Sequence, residues 1–279
     1  MQVIDAHQHF WKYNAVRDAW IDESMTTIRR DFMPSDLEPI LKVNGVDGCI
    51  VVQSDQSDDE NKFQLTNAHQ HGFIKGVVGW VDLQSNDLQG ALEQYRQYPK
   101  MKGFRHVLQG ERQRDFMLRP DFLRGIGLLA RYGFTYDILI YADQLTYIST
   151  FVAKFPEQRF VIDHIAKPDI RNKSFHAWRD ELKKVARHEN VYCKISGMIT
   201  EADWKNWRAE DIRPYLEVVV EEFGTKRIMY GSDWPVCLVA GSYNDVLKLV
   251  KDHFAAFSAT EQKMFFAENA IRFYNLDEA

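Results

Sequence analysis

Eight short runs dominated by β-branched and aromatic residues recur along the chain, and longer segments of helical character separate them. The runs cover residues 3–9, 48–53, 74–82, 102–108, 134–141, 159–166, 191–197 and 227–233, each of strand length. Apolar residues at three- and four-residue spacing predict helices at 34–43, 122–132, 144–155, 178–187, 214–223, 243–254 and 261–274. The first has Pro34 in its opening turn and stops at Asn44-Gly45; the next two stop at Gly133 and before Pro156. Strands that alternate with helices run parallel and connect through right-handed crossovers. Eight of them in 279 residues predict an α/β fold, a (β/α)8 TIM barrel formed by residues 1–279 as a single domain. An open doubly wound sheet is the alternative, but it normally carries a glycine-rich turn after its first strand. Here His9, Phe10 and Trp11 occupy that place.

Composition narrows the partners. Cys49, Cys193 and Cys237 form an odd set without paired short spacing, which argues against a disulfide framework and a zinc knuckle. A formal net charge of −5 gives no electrostatic reason to expect nucleic acid. No run of ~18 apolar residues predicts a membrane span. The opening Met-Gln-Val-Ile-Asp-Ala-His has neither a basic patch nor an apolar signal core, so a cytoplasmic location is expected. A small-molecule substrate is the expected partner, and a homo-oligomer is compatible with the sequence.

In a closed barrel the chemistry sits at the C-terminal ends of the strands. His7 and His9 are two apart and share a face, which is inward if Val3 faces inward as well. His164 ends the sixth run with Lys167 just beyond, and Asp233 ends the eighth. The plain alternatives are exposed strand-end histidines and a helix N-cap aspartate. By alternation, only one of Arg105 and His106 faces inward. Lys194 and Ser196 share a face of the seventh run, and Asp137 lies in the fifth. A buried lysine or aspartate requires a partner or a wet cavity. Gln53 ends the second run. Trp11, Trp20 and Trp234, with Tyr141, are expected near the mouth, as a platform for a sugar ring or as its closure. His69, His71, His176, His188 and His253 read as solvated.

Several of these segments together carry a recognisable pattern. Ile4-Asp5-Ala6-His7-Gln8-His9-Phe10-Trp11, Arg29-Arg30-Asp31-Phe32-Met33-Pro34, Lys102-Gly103-Phe104-Arg105-His106, Asp163-His164-Ile165-Ala166-Lys167-Pro168 and Tyr230-Gly231-Ser232-Asp233-Trp234-Pro235 resemble the amidohydrolase superfamily over essentially the whole chain. The resemblance is strongest to the amidohydrolase-2 branch, with its sugar lactonases of the L-fuconolactonase and L-rhamnonolactonase kind. It implies a TIM barrel and a carboxylic-ester hydrolase that opens an aldonolactone to the aldonic acid. Asp233 is then the expected base on water, with His7, His9, His164 and Arg105 around the developing oxyanion. His164 or Lys167 would return the proton. Trp11, Gln53, His106, Lys167, Lys194 and Trp234 are the expected substrate-binding residues. The chain departs from the family's binuclear pattern at the fourth strand, where Arg105-His106 stands for the bridging lysine or glutamate, and at the fifth, which has no histidine. The expectation is therefore that no cofactor is required, or that one divalent metal such as zinc is held by His7, His9, His164 and Asp233. A metal-dependent amidohydrolase, or a decarboxylase or hydratase acting on a small carboxylated substrate, is the alternative within the same superfamily.

Overall fold

The eight runs fold into one eight-stranded parallel sheet in sequence order, in a computed structural model that describes residues 1–276. Residues 277–279 of the expected domain lie outside the described residues. The strands are β1 (Ile4–Gln8), β2 (Gly48–Val52), β3 (Ile74–Gly79), β4 (Met101–His106), β5 (Thr135–Ile138), β6 (Phe160–Ile162), β7 (Val191–Ile195) and β8 (Ile228–Tyr230). Helices α1 (Pro34–Asn44), α2 (Asp58–Gln70), α3 (Leu88–Tyr95), α4 (Pro120–Leu129), α5 (Leu145–Val152), α6 (His176–Ala186), α7 (Ala209–Phe223) and α8 (Tyr243–Phe254) alternate with them. Backbone bonds from Asp233 N–H to His7 O, 2.8 Å, and from His9 N–H to Trp234 O, 2.7 Å, join the β8 end to β1. The sheet is thus a (β/α)8 barrel.

Alternate residues along each strand face the barrel axis. Ile4, Ala6, Ile50, Val52, Val78, Val161 and Met229 form an apolar inner cluster. The last helical segment packs into that cluster through Ala267, Ala270, Phe273 and Tyr274. Residues of opposite phase, such as Cys49, Phe104, Tyr136, Ile162 and Tyr230, belong to the larger core shared with the helices. The expected helix at 261–274 is divided into α9 (Ala259–Lys263), a π turn at Met264–Glu268 and α10 (Asn269–Tyr274).

Two further helices, α2 and α3, lie outside those expected from the sequence. The buried face of α2 consists of Glu60, Asn61, Gln64, Asn67 and Ala68. Its polar groups are matched to backbone: Gln64 Nε2 donates to Phe10 O at 2.7 Å, and Asn61 bonds both the carbonyl and the N–H of Trp80. Helix α3 spans eight residues and contains Gly90, a weak helix former.

Candidate active site

The phase of β1 slips at an irregularity in its register between Asp5 and Gln8. Ile4 and Ala6 face the axis below the slip, His7 and His9 above it, while Val3 belongs to the outer core. The expectation that Val3 shares the face of the two histidines is corrected by this bulge. The strand end at β6 also departs from regular alternation. His164, Ile165, Ala166 and Lys167 all have φ between 46 and 60°, the left-handed region. Asp163 and His164 are adjacent, yet this turn brings both to the interior. Asp233 likewise has φ 58°. Such conformations cost of order 1–3 kcal/mol per non-glycine residue and concentrate at functional sites.

Four side chains converge. His7 Nε2 is 3.2 Å from His9 Nε2, and Asp233 Oδ1 lies 3.4 Å from His9 Nε2, 3.8 Å from His164 Nε2 and 3.9 Å from His7 Nε2. Each imidazole is held from its other nitrogen. His9 Nδ1 donates to Val52 O at 2.8 Å, since a carbonyl only accepts, and this turns His9 Nε2 toward the site. His164 Nδ1 is 2.9 Å from Ser196 Oγ. His7 Nδ1 lies between Lys194 Nζ, 3.1 Å, and Asp163 Oδ1, 3.2 Å. Two glycines make room. A Cβ on Gly197 would lie 2.6 Å from His164 Nδ1, and one on Gly231 would lie 2.7 Å from His7 Cβ. The 3-10 turn that follows has Pro235 at its N-cap and no side-chain capping bond, so the Asp233 side chain does not cap it.

A buried ionic layer underlies these groups. Arg105 donates to Asp163 Oδ2 at 3.0 Å and to the backbone oxygen of Gln53, and its Nη1 is 3.4 Å from His7 Nε2. Lys194 Nζ is 2.5 Å from Asp137 and 3.0 Å from Asp163, and Tyr274 Oη donates to Asp137 Oδ2 at 2.8 Å. Burial alone would raise the Asp163 carboxyl, but Lys194, His7 and Arg105 hold it well below the usual carboxylate range. Burial pushes Asp137 up to about 6 against the pull of Lys194. Burial, followed by like charge nearby, drives His164 well below an ordinary histidine, and burial does the same to His7 against the opposing Asp163. Both imidazoles are therefore neutral near pH 7.

A cavity of about 510 Å³ opens over His9, His164 and Asp233, with His7 buried behind them. Its lining includes His9, Trp20, Met25, Ser54, Arg105, Tyr141, His164, Lys167, Glu201, Trp204 and Asp233. Lys167 Nζ stands 3.7 Å from Glu201 Oε1 and over the ring of Tyr141. Of the residues expected to bind substrate, Lys167 lines the cavity. The others lie behind its wall, each for a visible reason. Trp11 is buried against Trp20 and Phe32, its Nε1 donating to Arg30 O. Trp234 packs on Phe10 and Phe32. His106, of opposite phase to Arg105, pairs with Glu111 at 2.8 Å and stacks on Phe116. Gln53 is tied to Arg105 through its backbone oxygen and through its Nε2, which donates to Arg105 O. Lys194 belongs to the ionic layer. Conversely, Asp163, Glu201, Trp204 and Ser54 take part without having been singled out from the sequence. Of the histidines expected to be solvated, His69 and His176 are exposed, His71 and His253 are half-buried, and His188 is half-buried and bonded to Ser149.

The donor set suits one divalent ion. Ligand atoms of His7, His164 and Asp233 lie within 4.8 Å of one another, and His9 Nε2 adds a fourth donor beside them. A mixed nitrogen and oxygen set of this size is the kind zinc takes, and the His9 bond to a backbone carbonyl is the outer-shell support that ligating histidines need.

The family model described as Amidohydrolase matches residues 4–276. A protein of Burkholderia multivorans named L-fucono-1,5-lactonase is 37% identical, over 99% of this chain and 96% of its own. One of the same name from Burkholderia ambifaria is 35% identical, over 98% of this chain and 96% of its own. A solved structure of an amidohydrolase from Burkholderia multivorans with bound zinc superposes with a TM-score of 0.95 at 37% identity, covering 99% of this chain and 100% of that one.

Proposed function

We propose that this chain, which belongs to the amidohydrolase family, hydrolyses a sugar lactone to the aldonic acid. The observation that carries the reading is the Asp233 carboxylate set among three imidazoles at a cavity of about 510 Å³. The lactonase names of full-length relatives at 35–37% identity favour hydrolysis over the decarboxylase or hydratase alternative. In this reading residues 1–279 act as one unit on a small molecule in the cytoplasm. No described helix is long and apolar enough to cross a membrane.

Lactone opening requires a proton to leave water, an oxyanion to be tolerated and the ring oxygen to depart as an alcohol. Asp233 takes the proton from water. Arg105, which lines the cavity, places a cation where the carbonyl oxygen becomes negative, a contribution of ~3 kcal/mol for a well-placed donor. The proton held by Asp233 then returns to the ring oxygen as the intermediate collapses, and Lys167 and His164 steady the departing alcohol. A divalent ion of the zinc type would be held by His7, His9, His164 and Asp233, and when bound would polarise the carbonyl and acidify water.

The test is proton release in a pH-indicator assay over a panel of aldonolactones. Turnover of one or more is expected. No turnover across the panel, with carbon dioxide released from a carboxylated aromatic instead, would overturn the reading.

A further inference from the structure

We propose that Glu201 confines this cavity to uncharged lactones, by occupying Lys167 and by setting a second carboxylate opposite any anionic substituent. The inference rests on the lactonase reading and adds the charge class of the substrate.

Among the described residues that line the cavity, the lysine and arginine side chains are Lys167 and Arg105. The two terminal nitrogens of Arg105 are engaged by Asp163, the Gln53 carbonyl and His7, its Nε is buried without a partner, and the side chain is 4% exposed. Lys167 faces Glu201 at 3.7 Å. The carboxylates that line the same cavity are Glu201 and Asp233. A carboxylate on the exocyclic carbon of a substrate therefore meets two like charges, while Lys167 is already paired and Arg105 faces the reacting carbonyl. It would also surrender its hydration, and an incompletely paired buried charge is costly.

A neutral polyol meets the opposite situation. An ammonium carries three donors and a carboxylate about four acceptor positions, so the Lys167–Glu201 pair retains capacity after neutralising itself. A sugar hydroxyl both donates and accepts, and so matches a donor and an acceptor 3.7 Å apart. The backbone fixes this pair. Glu201 ends a 3-10 turn, Ile199–Glu201, and its carbonyl accepts from Arg171 N–H at 3.0 Å. Lys167 stands at the end of the left-handed turn that also positions His164. Burial raises the Glu201 carboxyl, Lys167 opposes it and Asp233 adds to it, which fits a side chain drawn into the cavity and not one free in solvent. The product of lactone opening is itself a carboxylate, so the arrangement that refuses anionic substrates also favours release of product.

The experiment compares kcat/KM for an aldonolactone with that for the aldarolactone of the same ring stereochemistry, whose exocyclic carbon is a carboxylate. The ratio divides out any loss common to both substrates. Wild type is expected to prefer the neutral lactone. Glu201→Gln should shift the ratio toward the charged lactone by about tenfold, and Lys167→Gln should shift it the other way. Equal turnover of both lactones by wild type, an unmoved ratio in Glu201→Gln, or shifts of the same sign in both variants would overturn the proposal. Calorimetric binding of an aldonate and of the matching alditol separates this from the lactonase reading. If no lactone is turned over, the lactonase reading fails. The charge filter then stands if Glu201→Gln binds aldonate about tenfold more tightly with alditol binding little changed, and falls if both shift alike.

Discussion

The backbone N–H of Asp233 donates to the carbonyl oxygen of His7 at 2.8 Å, while the Asp233 carboxylate stands 3.9 Å from the His7 imidazole. One pair of residues thus joins the last strand end to the first and opposes the site's carboxylate to its histidine. The closing bond is made by main chain alone, so the two roles are separable: a side-chain substitution at position 233 alters the chemistry and leaves the closure intact.

Asp5 lies just behind this junction and is fully buried. Its Oδ1 accepts from Ser232 N–H at 2.9 Å and His7 N–H at 3.1 Å, and Oδ2 accepts from Tyr243 Oη. Burial, partly offset by the Ser232 bonds, raises its pKa from 3.8 to about 6. A raised carboxyl favours folding when protonated; its contribution is complete below 3.8 and is lost as pH rises through about 6. Asp5→Asn keeps an oxygen for the two N–H groups and does not titrate. Its stability relative to wild type should therefore improve by ~2 kcal/mol between pH 4 and pH 7. Urea unfolding at several pH values measures this, and a difference that stays flat with pH would contradict it.

Lys194 is fully buried between Asp137 and Asp163. Removing one partner of a buried ionic group leaves charge uncompensated, so Lys194→Met should lower stability by ~3–5 kcal/mol. Lys194→Met with Asp137→Leu removes one charge of each sign and should recover at least ~1 kcal/mol of that loss. Denaturant unfolding of the single and double variants decides the matter. A single variant as stable as wild type would mean that the layer is not held by its charges.

The costly burial of Lys194 and Asp137 is visible in the sequence, because neither residue suits the interior of an apolar strand; that they neutralise each other requires the barrel, since 57 residues separate them. The order of the eight strands is legible for the same kind of reason, as apolar runs and helix stops repeat with chain position. Asp163 is hidden by the alternation rule itself, which sends it away from His164. His164-Ile165-Ala166-Lys167 contains no glycine to announce a left-handed turn, so nothing local reveals that the rule fails there. The slip in β1 is equally silent. Glu201 and Trp204 fall after β7 in irregular chain without periodicity, and α2 is obscured because its buried face is polar.

Metal dependence separates two sources of positive charge. With the ion removed, Arg105 still lines the cavity and stands 3.4 Å from His7. We expect measurable turnover to survive exhaustive chelation, and added zinc to raise the thermal midpoint of wild type but much less that of His9→Ala, which lacks one donor. Complete loss on chelation, restored by zinc, would assign the electrophile to the ion and refute this expectation.

Asp233→Asn tests the base directly. The amide preserves size and shape, and the backbone bond to His7 does not involve the side chain. Stability should therefore change by less than about 1 kcal/mol, since neither a cap nor a ladder bond is lost. The amide cannot take a proton from water, so kcat should fall by roughly 10²–10⁴-fold, the range general bases contribute. KM should move much less, because proton transfer belongs to the transition state and not to ground-state binding. The limb of the pH profile that reports deprotonation of this carboxylate should disappear from the residual activity. Thermal unfolding and kinetics on one preparation read all of these together. A variant that is folded, stable and fully active would remove Asp233 from the chemistry and leave it a part of the barrel closure alone.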